Sequence, residues 1–274
     1  MKEETHLSTP GKVNLFLDLT KQREDGYHEL FTLFVPTVNL RDEIIIREGQ
    51  GITIICDHPN VPCDSRNLVY KAAERFGEAS GMNAMWEIEI IKNLPVAGGM
   101  GGGSSDAAAT LLALNERYKY PLTQERMEKI ALSIGADVPF FLNPVPSLAE
   151  GVGEKLSPID LPKLTLLLVC FDFPISAIWA YKNKSCLLDI MSTEQEKIKN
   201  GSLKTKEDIS KLVYNGLGIS LHKKFSILSE VRQALLEAGA LASDISGSGP
   251  TVFALCKDIE DAEKIKERFL QHAL

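Results

Sequence analysis

The chain has 274 residues, enough to bury a sizeable core and to form one large or two modest domains. Its 44% hydrophobic and 24% charged residues, with ordinary Gly and Pro usage, exclude a disordered, collagen-like or fibrous protein. A formal charge of −7 argues against a general nucleic-acid binder, which needs a basic face to release counterions, but leaves room for a local cationic pocket.

No apolar run reaches the roughly 18 residues that span a bilayer. The longest, Leu164–Phe171, has the length of a buried strand. The first residues, Met1–His6, are polar and acidic with no apolar segment behind them, so no secretory leader is expected. Five cysteines without a C-x-x-C pair predict free thiols in a reducing cytoplasm. Cys56, His58 and Cys63 lie close together, but no complementary Cys/His pair follows at zinc spacing, and no metal site is expected there.

In chain order, Lys12–Leu19 alternates and predicts a half-buried strand. Glu43–Ile46 and Ile52–Cys56 are β-branched runs separated by Arg47-Glu-Gly-Gln-Gly51, which reads as a hairpin. Asn67–Ser80 has apolar residues at helical spacing and stops at Gly81. Trp86, Ile88 and Ile90 alternate with glutamates in a further strand. A helix is predicted over Asp106–Asn115 and another over Thr123–Ile134, with Thr123 as cap and Gly135 as stop. Ala136–Leu142 reads as a loop with an apolar segment, and the Gly- and Pro-rich Gly151–Lys163 as a domain boundary, giving domains 1–155 and 156–274. Beyond it lie a strand over Thr165–Phe171, a polar stretch Lys182–Lys211, a helix Ser226–Ala238, a second glycine loop Ser246–Pro250, a strand Thr251–Cys256 and a closing helix Ile259–Leu270. Interspersed strands and helices predict an α+β class.

The strongest chemical signal is Gly98-Gly-Met-Gly-Gly-Gly-Ser-Ser-Asp106, with five glycines in six positions directly before a helix. Glycine admits positive φ and close approach to the main chain, and a helix start presents unpaired N–H groups at the positive end of its dipole. The two together suit a polyphosphate. A Walker A loop is ruled out because Ser104 stands where its lysine must be. A Rossmann turn fails because Lys92–Ala97 separate the strand from the glycines. With no lysine in the loop, phosphoryl transfer would need a cation and a base from elsewhere. Lys12 follows a Pro-Gly turn, and Asp137 sits between a helix stop and an apolar run. A buried aspartate beside a lysine would stay ionised and could accept a hydroxyl proton.

These segments resemble the GHMP kinase superfamily: Pro10–Leu17, Arg23-Glu-Asp-Gly-Tyr-His28, Leu94–Ala108, Gly135–Pro139, Ala149–Gly153 and Ser246–Thr251 follow in the family's order over nearly the whole chain. The resemblance implies a two-domain fold, an N-terminal nucleotide-binding domain and a smaller C-terminal α/β sandwich, with ATP and acceptor between them. It implies ATP as donor, with Mg²⁺ carried mainly by the nucleotide. The phosphates would lie on Pro95, Val96, Ala97, Gly98, Gly99, Met100, Gly101, Gly102, Gly103, Ser104 and Ser105, with Asn67 and Lys92 near the adenine. Lys12 and Asp137 would be the catalytic residues.

Within that family the resemblance of Arg23–His28, with its Tyr27-His28, implies a cytidine diphosphate-linked methylerythritol as acceptor, phosphorylated at its 2-hydroxyl for isoprenoid precursor synthesis. Homoserine, mevalonate or a sugar is the competing acceptor class, and a non-catalytic nucleotide-binding protein on the same fold the competing function. Asn14, Tyr27, His28, Phe34 and Tyr181 would meet the cytidine end. The protein would act as a monomer or weak homodimer in the cytoplasm, without nucleic-acid or membrane partners. Gly11 in place of the family's usual alanine and Met100 in place of leucine are small departures.

Overall fold

The computed structural model describes residues 4–24, 28–183 and 192–273. In its N-terminal part β1 (Thr5–Gln22), β2 (His28–Glu48) and β3 (Ile52–Cys56) lead to α1 (Leu68–Ser80), β4 (Trp86–Ile91), α2 (Gly102–Arg117), α3 (Gln124–Ile134) and α4 (Val138–Leu142). Next come β5 (Ser147–Gly151), β6 (Lys155–Pro158), β7 (Thr165–Val169), α5 (Ala177–Lys182), α6 (Ser192–Lys199), α7 (Lys206–Ser210) and β8 (Tyr214–Asn215). The chain closes with α8 (Gly218–Lys224), α9 (Ser226–Glu237), β9 (Ala242–Ile245), β10 (Val252–Cys256) and α10 (Ile259–Ala273). Two compact units form, one from Met1–Lys12, Pro36–Val96 and Gly101–Pro144, the other from Val13–Val35, Ala97–Met100 and Val145–Leu274.

In the first unit β2 does not form a hairpin with β3. β4 lies between them, antiparallel to β2 through Glu43↔Ile91 and parallel to β3 through Ile52↔Trp86. The reason is α1: a strand reached through a helical crossover returns parallel to the strand that fed it and occupies that strand's edge. α1 itself begins and ends as its sequence predicts. Asn67 Oδ1 accepts from Val69 N at 2.9 Å, its Nδ2 donates to Pro62 O at 2.7 Å, and Gly81 closes the helix in the left-handed region. Asn67→Ala removes both bonds, and the expected loss is about 1–2 kcal/mol, read as a lower denaturant midpoint at unchanged slope. Behind the strands, Trp86 is buried against Phe76 with ring centroids 5.9 Å apart, and its indole N–H donates to Tyr118 Oη at 2.9 Å. The buried indole is thereby satisfied.

In the second unit Leu30–Phe34 of β2 pairs antiparallel with β5, and β5 turns back into β6. The Gly- and Pro-rich stretch that reads as a boundary thus begins with this hairpin, whose turn is Val152–Glu154. The predicted half-buried character of β1 also changes here. Asn14 and Phe16 are buried along with Val13, Leu15 and Leu17, because the Phe16 ring lies 5.9 Å from both Phe31 and Tyr214. A second sheet runs β7-β10-β9, antiparallel throughout. It packs on α9 and α10 through Val252, Ala254, Leu228, Leu235 and Ile265, the sandwich that the family resemblance implies.

Candidate active site

Between β4 and α2 the backbone takes positive φ at Ala97 (54°), Gly99 (75°) and Gly101 (70°). Positive φ between ordinary residues is the backbone form from which concave anion receptors are built. α2 starts four residues before the predicted Asp106. Gly101 is its N-cap and offers no side-chain cap, so the first-turn amides end in a glycine-lined approach rather than under a hydroxyl. Ser105 begins the ladder with its N–H to Gly101 O at 2.9 Å. Its hydroxyl is used inside the protein: Oγ donates to Pro10 O at 2.5 Å and lies 2.6 Å from Thr9 Oγ1. Ser104 is half-buried and Gly103 exposed.

Lys12 lies at the end of the β1 segment in the first unit, 5% exposed, with Nζ 3.7 Å from Asp137 Oδ2. Asp137 occupies the N-cap position of α4, the short helix formed by the apolar segment that reads as a loop. About a third of its carboxylate side chain remains in contact with solvent. Burial pushes the Lys12 ammonium below its ordinary value, and the Asp137 charge opposes that shift. The pair is therefore a desolvated cation beside a reachable carboxylate. Gly101 sits close by, where a Cβ would be 3.4 Å from Lys12 Cε and 2.9 Å from the Phe141 ring.

The other expected residues are spread over both units. Asn67 spends both polar ends of its amide on the α1 turn. The Lys92 ammonium is 4% exposed and faces two carboxylates, Asp42 and Asp106. In the second unit Asn14 Nδ2 donates to Thr32 Oγ1 at 2.8 Å, and Asn14 N donates to Ser246 Oγ at 3.2 Å. His28 and Tyr181 come together with rings 6.4 Å apart and 15° from parallel. Phe34 is buried in β2 at 2% exposure, and Tyr27 lies outside the described residues.

Sequence reasoning gives no role to Asp42 or Thr9, which in the first unit bond Lys92 and Ser105. Asp42 reads as an ordinary polar residue at the start of a strand, and the one available signal is its place directly before an Ile-rich run. Among the described residues no cluster of three or more His, Cys, Asp or Glu is placed to hold a metal ion.

Comparison with known proteins places the chain in one family. The profile of the GHMP kinases N terminal domain matches residues 67–143, and that of the GHMP kinases C terminal domain matches residues 202–273. A 4-diphosphocytidyl-2-C-methyl-D-erythritol kinase of Pelobacter propionicus is 37% identical over 97% of this chain and 94% of its own length. The crystal structure of a 4-(cytidine 5'-diphospho)-2C-methyl-D-erythritol kinase superposes with a TM-score of 0.78 at 31% identity, over 97% of this chain and 95% of that one. A homoserine kinase from Cytophaga hutchinsonii, 21% identical over 99% of this chain and 90% of that one, shares the fold with a TM-score of 0.77. With that span of identity behind the glycine loop and the Lys12–Asp137 pair, the chain belongs to the GHMP kinases, on the branch of the 4-diphosphocytidyl-2-C-methyl-D-erythritol kinases.

Proposed function

We propose that the chain transfers the γ-phosphoryl group of Mg-ATP to the 2-hydroxyl of 4-diphosphocytidyl-2-C-methyl-D-erythritol, a step of isoprenoid precursor synthesis. The observation that carries the chemistry is the Lys12–Asp137 pair at 3.7 Å, a base and its charge partner in the unit that also holds the start of α2. The acceptor's identity rests on relatives that match over nearly the full chain.

In this reading the acceptor hydroxyl gives its proton to the Asp137 carboxylate as its oxygen attacks the γ-phosphorus. The bond from that phosphorus to the β–γ bridging oxygen breaks, and ADP leaves with the electron pair. Lys12, beside the Asp137 carboxylate, offsets charge on the transferring group. The amides of Val96–Ser104 take the phosphates, framed by Pro95 and by Ser105, whose N–H goes to Gly101 O and whose hydroxyl ties α2 to Pro10. Mg²⁺ is part of the nucleotide substrate and neutralises phosphate charge there.

Asn67 and the stem of Lys92 border the adenine. Asn14, Tyr27, His28, Phe34 and Tyr181 take the cytidine end, where the near-parallel rings of His28 and Tyr181 offer flat surfaces to a base. No helix among the described residues is long and apolar enough to cross a membrane. The proposed setting is the cytoplasm, as a monomer or weak homodimer.

The test is ADP release from Mg-ATP with purified protein and each acceptor in turn. Turnover is expected with the diphosphocytidyl acceptor. Turnover confined to homoserine or mevalonate would sink the assignment.

A further inference from the structure

Beneath the first turn of α2 lies a fully buried ionic group, of which the chemistry above uses only the Lys92 stem. Lys92, just after β4, donates from Nζ to Asp42 Oδ2 of β2 and, at 2.8 Å, to Asp106 Oδ2 of α2. The three side chains are 4%, 0% and 4% exposed. Asp42 also accepts at Oδ1 from Asn93 N at 2.6 Å and Leu94 N at 2.7 Å. Asp42 thus fixes the main chain where it leaves β4 for the glycine loop, and Lys92 fixes α2 where the loop ends. A Cβ on Gly102, the first residue of α2, would lie 3.2 Å from Lys92 Nζ, so the group sits directly against the loop's backbone.

The charges do not balance. Two carboxylates face one ammonium, and an excess buried charge is costly unless a proton neutralises it. Asp106 is where the proton fits. Its Oδ1 is buried with no hydrogen-bond partner among the described residues, and Asp42 lies within hydrogen-bonding reach. Asp42 is already an acceptor on both oxygens. Burial raises Asp106 to about 7; Lys92 opposes the shift and Asp42 reinforces it. On Lys92 burial works against the charge, but Asp106 and Asp42 outweigh it and raise its pKa. The Cys56 thiol of β3 also senses Lys92 and is itself held neutral by burial. No charged group of α1, α3 or α4 enters the Asp106 balance among the described residues.

We propose that Asp42, Lys92 and Asp106 form a clamp that positions both ends of the glycine loop, with Asp42 as its positioning residue, and that the clamp holds one proton while the loop carries polyphosphate. The proposal rests on the reading of that loop as the nucleotide site. Its sign follows from charge. A bound polyphosphate adds negative potential at α2's N-terminus, which favours protonated Asp106, so binding takes up a proton when the solution lies at or above the Asp106 midpoint.

Calorimetry of Mg-ADP binding, in buffers of different ionisation enthalpy between pH 7 and 8.5, reads that proton. The unaltered protein is expected to take up about half to one proton more than Asp106→Asn, in which the amide keeps an acceptor for Lys92 and a donor for Asp42 at every pH. Equal uptake in the two proteins overturns the proton.

Positioning is read separately and without nucleotide. Hydrogen exchange of the amides at 94–105 is expected to quicken in Asp42→Asn, and unchanged exchange overturns the clamp. In steady-state assays Asp42→Asn is expected to raise KM for Mg-ATP about tenfold with kcat within about threefold, a split that a general loss of folded protein does not produce. No Mg-ADP binding by the unaltered chain would instead sink the nucleotide reading itself.

Discussion

Asp137→Asn is expected to lower kcat by about 10²–10⁴-fold, the range contributed by a positioned general base, while KM for Mg-ATP changes by less than about threefold. The loss corresponds to roughly 3–5 kcal/mol of barrier. The amide keeps the shape of the N-cap position on α4 but cannot accept the hydroxyl proton. It also removes the carboxylate charge that counters burial at Lys12. The Lys12 ammonium, already depressed by desolvation, then loses its proton more readily, so residual turnover should fade at a lower alkaline pH than in the unaltered protein.

Lys12→Met separates function from folding. A lysine whose folded pKa is depressed is one whose charge the fold holds at a cost, and methionine fills the same buried space without it. Activity is expected to collapse while the unfolding midpoint does not fall. Near-normal kcat in Asp137→Asn would remove Asp137 as the base.

What the sequence made legible depended on how local the signal was. α1 and α3 are readable because cap, apolar spacing and terminating glycine lie within one short window, as at Asn67, Phe76 and Gly81, and α9 from its apolar spacing and the following Gly239. The partner of a strand is a different matter. Glu43–Ile46 and Ile52–Cys56 look like two arms of a hairpin, and only the return of the chain through α1 inserts β4 between them.

α2 begins early because Gly102 and Gly103, poor helix formers in isolation, are placed by tertiary contacts, and propensity yields to them. The site is similar. Its glycines suit a polyphosphate on local grounds alone, whereas Lys12 and Asp137 belong to segments far apart, and it is the family resemblance that gives them catalytic roles. Asp42 stands 50 positions from Lys92, and nothing in the composition of either segment names the other.

The second large effect is expected at Gly99→Ala. Gly99 has φ of 75°, a region that costs an L-residue roughly 1–2 kcal/mol. Conformation is the smaller part. A Cβ there would overlap Ser246 O and come within 2.9 Å of Gly249 N, both main-chain atoms of the second glycine loop. That loop cannot yield easily. Ser246 N donates to Thr251 O and Gly249 N to Ser246 O, each at 2.9 Å, while Asn215 Nδ2 holds Ile245 O and Gly247 O at 2.7 and 2.8 Å. Ser246 Oγ meanwhile donates to Gly99 O at 3.0 Å, so a shift of either segment breaks a bond between them.

KM for Mg-ATP is therefore expected to rise about tenfold or more, together with a lower unfolding midpoint. Gly103→Ala is the matched control for folding. Its Cβ would meet nothing closer than Leu68 Cδ1 at 3.9 Å, and it lies within α2, where alanine favours the helix by about 1 kcal/mol over glycine. Its unfolding midpoint should hold or rise. If Gly99→Ala matched Gly103→Ala in midpoint and kept the original KM, the contact between the two glycine loops would not be what shapes the phosphate receptor.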